Sequence, residues 1–198
     1  FRSATTGASL RGVATVSPFG SDMLTLLSAG AQASFLDKHA GAGKAVTVSG
    51  YALAGADAAN YDLLQPSGLH ADIARADLDV TGLFASSRTY DATTQATLNG
   101  VGVVTPIAGD QVALGGSPSA VFADKHVGLN KPVTVGGFTL AGADAGNYQL
   151  RQPSGLQATI TKAALGISGL SAVARAYDAT NVVALSGGVV TPLAGDVV

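Results

Sequence analysis

Several polar groups in this chain sit at spacings that could do chemistry, and each recurs 87 positions later. Asp37-Lys38-His39 returns as Asp124-Lys125-His126: a carboxylate, an amine and an imidazole in one short stretch, the materials of acid–base or metal chemistry. Asp57, Asn60 and Tyr61 return as Asp144, Asn147 and Tyr148, which offer the hard oxygen donors that calcium takes. Lys44 and Lys131, together with Asn60 and Asn147, are the ingredients of an internal amide crosslink formed with loss of ammonia. Asp91 follows Tyr90, and Asp178 follows Tyr177, in a fourth repeated group.

Each group also has a plainer reading. A lone histidine per stretch, with no second His or Cys nearby, makes no tight metal site. A serine triad would need a Ser held against that His by a third group, and Ser falls mainly in turns here. The third histidine, His70, becomes Gln157 one period on, so all three histidines read as surface residues. One Asp and one Asn supply too few ligands for calcium, and the nonapeptide pattern of calcium-binding β-rolls is missing. Those residues read instead as a turn that satisfies local backbone groups, with Tyr148 and Tyr61 anchoring the next strand. The crosslink normally needs a buried acid, and all 13 acids are Asp, with no Glu. Asp91 and Asp178 read as turn caps, with Tyr90 and Tyr177 at the seam between repeats. The sequence thus gives no catalytic, cofactor-binding or metal residue, and no enzyme is expected.

The elements that position these groups form a tandem repeat. Residues 54–69, AGADAANYDLLQPSGL, return at 141–156 as AGADAGNYQLRQPSGL, with 13 of 16 positions identical. FLDKH at 35–39 matches FADKH at 122–126, and TYDAT at 89–93 matches AYDAT at 176–180, all 87 apart. The offset slips by one elsewhere: Asp22 to Asp110 is 88 and Asp110 to Asp196 is 86, as loop insertions allow. We take residues 76–162 as a complete copy, 1–75 as a copy lacking its first strand, and 163–198 as the start of a third. A period of this length fits a whole small domain rather than one coil of a solenoid.

β-Branched residues between Gly, Asn, Asp and Pro punctuation, with 26 glycines and only 12% charge, point to an all-β chain. In copy two Val133 and Val135, then Phe138 and Leu140, carry the apolar face, so parity flips at Gly136–Gly137 and demands a bulge or tight bend there. Copy one repeats the flip between Val48 and Tyr51. A second switch separates Leu156, Ala158 and Ile160 from Leu165 and Ile167, and Leu69, Ala71 and Ile73 from Leu78 and Val80. One extended segment therefore ends a module and begins the next, too short a linker for slack. Further strands are expected at Ala96–Asn99, Gln111–Leu114, Ala120–Ala123 and Tyr148–Arg151, with loops at Pro106–Asp110, Gly115–Pro118, Gly128–Pro132 and Ala143–Asn147. Six or seven short strands per module suggest an immunoglobulin-like β-sandwich. The alternative is a β-grasp module, whose helix would have to lie in LAGADAGNY.

A net charge of −2 gives no electrostatic case for nucleic acid or an anionic membrane. No apolar run approaches the ~20 residues of a membrane helix, so direct membrane insertion is not expected.

Taken in order, Tyr90-Asp91-Ala92-Thr93, Gly109-Asp110-Gln111-Val112-Ala113-Leu114, Phe122-Ala123-Asp124-Lys125, Leu140 to Tyr148 and Ile160-Thr161-Lys162-Ala163 resemble the YDG-type repeats of bacterial haemagglutinin-like filamentous adhesins. Ala92 and Ala179 stand where such repeats usually have Gly, and Arg2-Ser3 stands where copy one should carry Tyr-Asp. The resemblance implies an extracellular or outer-surface stalk, often exported by two-partner secretion, acting in attachment or biofilm without catalysis. It carries no binding residues and no cofactor. The expected partners are neighbouring repeat modules of the same or an adjacent chain. Two rival readings are a fibre subunit joined head to tail by strand donation and an array binding host or matrix glycans. The second lacks the exposed aromatics that sugar platforms favour: Trp is absent, and Phe35, Phe122, Tyr61 and Tyr148 all read as buried.

Overall fold

The computed structural model describes residues 6–193, 196 and 197; the Arg2-Ser3 departure lies outside them. Fifteen strands and two single turns of 3₁₀-helix, Ala58–Asn60 and Ala145–Asn147, account for the regular structure among the described residues. The chain is all-β. The segment LAGADAGNY, which a β-grasp helix would occupy, holds only the second of those turns.

Contacts divide the chain into two compact units. The first comprises the residues up to Asp79 with Val104–Gly115 and Thr139–Arg151. The second comprises Val80–Val103, Gly116–Phe138 and the residues from Gln152 on. In chain order the strands are β1 (Thr25–Leu27), β2 (Gln32–Phe35), β3 (Gly41–Ser49), β4 (Ala52–Ala54), β5 (Leu69–Ile73) and β6 (Ala76–Asp79). There follow β7 (Thr81–Ala85), β8 (Arg88–Thr89), β9 (Leu98–Val103), β10 (Ala113–Phe122) and β11 (Gly128–Ala141). The last four are β12 (Tyr148–Arg151), β13 (Gln157–Thr161), β14 (Ile167–Ala172) and β15 (Leu185–Val190).

In the first unit, β2, β3 and β5 form an antiparallel sheet, β1 pairs with β4, and β12 lies parallel to β6 with Tyr148 opposite Ala76 and Leu150 opposite Leu78. Only two residues separate β5 from β6. In the second unit the residues of β10 from Gly116 on and of β11 up to Phe138 join a sheet of order β10-β11-β13-β8, with β13 and β8 parallel, and β7 pairs with β9. Its core is Ala96, Ala120, Phe122, Val133, Val135, Ala158 and Ile160, with Leu156, Phe138 and Tyr90 packed against it. Val133 and Val135 point inward while Thr134 between them is exposed, the period of two that a half-buried strand imposes. β14 and β15 pair with each other with every residue exposed.

The parity flip lies where the pattern puts it. Gly137 sits at φ +92, and a Cβ there would lie 2.4 Å from the Ser117 carbonyl oxygen; Gly50 repeats the conformation at φ +87 against Gly30. Only glycine tolerates both the dihedral and the close approach. Next to the flip, Gln152 clamps the backbone of Phe138: its Oε1 accepts from the Phe138 N–H at 3.1 Å, and its Nε2 donates to the carbonyl at 2.9 Å. Gln65 makes the same pair of bonds to Tyr51. A side-chain amide thus replaces the ladder partner that the kinked strand loses.

Two expected loops are strand instead. Gly115–Pro118 lies inside β10, which joins the expected Gln111–Leu114 and Ala120–Ala123 strands into one. Proline is tolerated there because β10 is the edge strand of its sheet, and the bridge on its outer side, Gln95 to Val121, lies beyond Pro118. Gly128–Pro132 opens β11, where the Gly-Leu-Asn-Lys turn chemistry makes a bulge: the register with β13 shifts between Gly128 and Lys131, and Asn130 has φ 49. The strand expected at Ala96–Asn99 begins later and runs Leu98–Val103. Strand β12 falls where expected, and Pro106–Asp110 is outside any strand.

Candidate functional site

The most organised polar group is a junction built around an aspartate. It begins with a turn. In copy one, Asp37 accepts from the His39 N–H at 2.8 Å and from Lys44 Nζ, and Lys44 also donates to the His39 carbonyl at 2.7 Å. In copy two, Asp124 accepts from the His126 N–H at 2.8 Å and from Lys131 Nζ. The Lys44 ammonium, with the His39 amide, holds the Asp37 carboxyl below the usual range, and Lys131 with the His126 amide does the same to Asp124. These pairs close the turn and leave its middle residue, Lys38 or Lys125, free to reach outward. Lys44 and Lys131 are therefore engaged with Asp37 and Asp124 as ion pairs, a different use from the amide crosslink considered for them.

Lys38 reaches the next copy. Its Nζ lies 2.5 Å from Oδ1 of Asp110 and 3.7 Å from Oδ1 of Asp144. The other Asp110 oxygen accepts from the Tyr148 hydroxyl at 2.7 Å, and that hydroxyl in turn accepts from the Ile107 N–H at 2.8 Å. Asp144 closes the loop: its Oδ2 accepts from the Gln111 N–H at 2.8 Å, and its own N–H donates to the Gln111 carbonyl at 3.2 Å. Asn147 Oδ1 accepts from the Ala40 N–H at 3.0 Å, and its Nδ2 lies 3.3 Å from Nδ1 of His39. The Asp110 side chain is only 3% exposed, so its charge rests on these donors rather than on water. Lys38, then Tyr148, hold its carboxyl below the usual aspartate range; Asp110 raises Lys38 in return. Burial first, and the Asp110 bond second, push the Tyr148 phenol up.

The same pair recurs one period on. Lys125 Nζ pairs with Asp196, and both Asp196 oxygens lie 2.6 Å from the Tyr90 hydroxyl. Lys125 also stands 5.8 Å from the centre of the Tyr90 ring. Lys125, then Tyr90, depress the Asp196 carboxyl, and Asp196 raises Lys125. Tyr90 opens the turn in which Asp91 accepts from the Thr93 N–H at 2.9 Å and hydroxyl at 2.8 Å and pairs with Arg88. Asp178, Thr180 and Arg175 repeat that turn, and Tyr177 is exposed.

The structure thus gathers residues that the sequence presented as separate candidates. The Asp-Lys-His stretch and the Asp–Asn–Tyr cluster are two halves of one contact. In copy two the oxygens considered for calcium accept from backbone N–H groups, a side-chain amide and a lysine. His39, His70 and His126 are exposed. Tyr148 and Phe122 are buried, whereas Tyr61 and Phe35 of copy one are only half-buried, against the expectation that all four would be covered. Sequence reasoning missed the acceptors. Asp22, Asp110 and Asp196 served only as landmarks for the slipping offset, although an aspartate that survives a slip in both directions marks a position held by something outside its own loop.

Among the described residues no helix is long and apolar enough to cross a membrane, and no group of three or more His, Cys, Asp or Glu is placed to hold a metal ion. No curated protein and no solved structure matches the chain. The family model of the YDG domain matches residues 3–68 and again 74–155, one match on each of the first two repeats. The chain therefore belongs to the YDG domain family.

Proposed function

We propose that the chain is a stalk segment of a secreted or surface-displayed bacterial adhesin, a semi-rigid spacer acting in attachment or biofilm formation. In this reading the YDG copies 1–75, 76–162 and 163–198 are successive immunoglobulin-like modules, and their job is to span distance. The observation that carries it is the repeated junction: each of two successive copies sends a lysine, from a turn closed by the same Asp–Lys pair, onto the aspartate of the copy that follows. A spacer needs one reusable joint, whereas a catalyst needs one unique site. Only two residues lie between β5 and β6, which leaves little slack where copy one meets copy two. The partners are then neighbouring repeats.

Small-angle scattering on arrays of two, four and six copies tests the reading. A spacer predicts a maximum dimension that grows in proportion to copy number. Growth closer to the square root of copy number, as for beads on slack tethers, would contradict it.

A further inference from the structure

Copy one contains the acceptor half of the junction, and among the described residues no lysine pairs with it. Tyr61 donates its hydroxyl to Asp22 Oδ2 at 2.6 Å and accepts from the Phe19 N–H at 3.1 Å, as Tyr148 does with Asp110 and Ile107. Asp57 Oδ2 accepts from the Met23 N–H at 2.9 Å, as Asp144 does from Gln111. The frame is complete, yet among the described residues neither Asp22 nor Asp57 has a cationic partner, and no backbone N–H reaches Asn60. Exposure follows the same division. Asp144 and Tyr148 are buried and Asn147 half-buried; Asp57 and Tyr61 are half-buried and Asn60 exposed. The rim of the copy-one group also carries uncovered apolar side chains, Phe19 at 82% and Met23 at 72% exposure.

We propose that Asp22, Asp57, Asn60 and Tyr61 form a docking site for an Asp-Lys-His turn carried by another YDG copy. The occupant is specified by what the equivalent group holds one period on. There a lysine bridges the two aspartates and the backbone N–H two residues later meets the asparagine. A carboxylate pair, an amide and a tyrosine already aligned by its own N–H donor offer that turn the same acceptors. The inference rests on the tandem-array reading, and it adds that the contact works between separate segments and not only within one continuous chain.

The test uses the isotope-labelled full chain and a peptide of sequence 35–46, closed by an added cysteine at each end because Phe35 and Val46 face each other across β2 and β3. Amide shifts should move at Asp22, Asp57, Asn60 and Tyr61, and saturate in the millimolar range typical of contacts that act through a tether. A peptide carrying Lys38→Met, or the chain carrying Asp22→Asn, should bind at least about tenfold more weakly, the ratio expected for one lost charge-assisted bond. In a chain carrying Lys38→Met the wild-type peptide should also perturb Asp110 and Asp144, which serves as the internal control. Three results would overturn the proposal: equal binding by the Met peptide, shifts that map elsewhere, or occupation of the vacated copy-two group without occupation of copy one. No binding to either group up to about 5 mM, well within tethered effective concentrations, would do the same. Failure of the stalk reading would appear separately, in the scattering of longer arrays.

Discussion

The junctions at Asp110 and Asp196 share an ion pair and differ in what completes it. Asp110 is covered, 3% exposed, and takes its second bond from Tyr148 of its own copy. Asp196 is 18% exposed and takes its second bond from Tyr90, which belongs to the lysine's copy. An ionised carboxylate accepts about four hydrogen bonds, so one Asp has room for a lysine and a tyrosine from each side. In both junctions the aspartate is the hub, accepting from the lysine of the preceding copy and from a tyrosine.

If burial sets the strength, Asp110→Ala should be the most damaging change, costing about 2–3 kcal/mol by leaving the Tyr148 hydroxyl without its acceptor in a covered site. Asp196→Ala should cost no more than about 1 kcal/mol, since its partners can turn to water. Urea unfolding of both variants gives the ratio; equal losses would show that burial of the carboxylate does not set the strength of the junction. Tyr148→Phe should follow at about 1–2 kcal/mol, because it strands the Ile107 N–H as well as one Asp110 oxygen.

Acid should separate the junctions too. Both carboxyls are held below their ordinary value, so their stabilisation is complete above the unfolded aspartate pKa of about 3.9 and is lost as pH falls from there through the depressed folded value. Asp110→Asn should flatten that acid limb of the stability profile more than Asp196→Asn. An unchanged limb in both would mean that neither pair is held.

The smallest expected effect concerns the turn that presents Tyr90. Ala92 and Ala179 stand at φ 64 and 60, a left-handed conformation that costs an L-residue about 1–2 kcal/mol and glycine almost nothing. Ala92→Gly should raise stability by roughly 0.5 kcal/mol after the entropy glycine adds to the unfolded chain, read as an upward shift of the urea midpoint. A lower midpoint would show that the turn is held by other means.

Much of this architecture was legible in the residues. The 87-residue period, the all-β class, the parity flip at Gly136–Gly137 and the strand Tyr148–Arg151 all follow from periodicity and glycine placement. Pro118 and the Gly128–Pro132 stretch misled, because turn-forming residues also make edge strands and bulges, and only the neighbouring strand decides between them. The junction was half legible. Asp37, Lys38 and His39 stood out as a group, but their partner Asp110 lies 72 positions from Lys38, beyond any local pattern. Gln65 and Gln152 gave a comparable missed signal: a polar residue kept in both copies beside a proline, whose use appears only when the kinked backbone lies next to it.

A double-mutant cycle on Lys38→Met and Asp110→Asn, read by urea unfolding of the full chain, tests most directly whether the lysine of one copy holds the aspartate of the next. A coupling of about 1 kcal/mol or more is expected, as charge-assisted bonds to a covered carboxylate give. Additivity within about 0.3 kcal/mol would contradict it, because distant, independent residues behave that way.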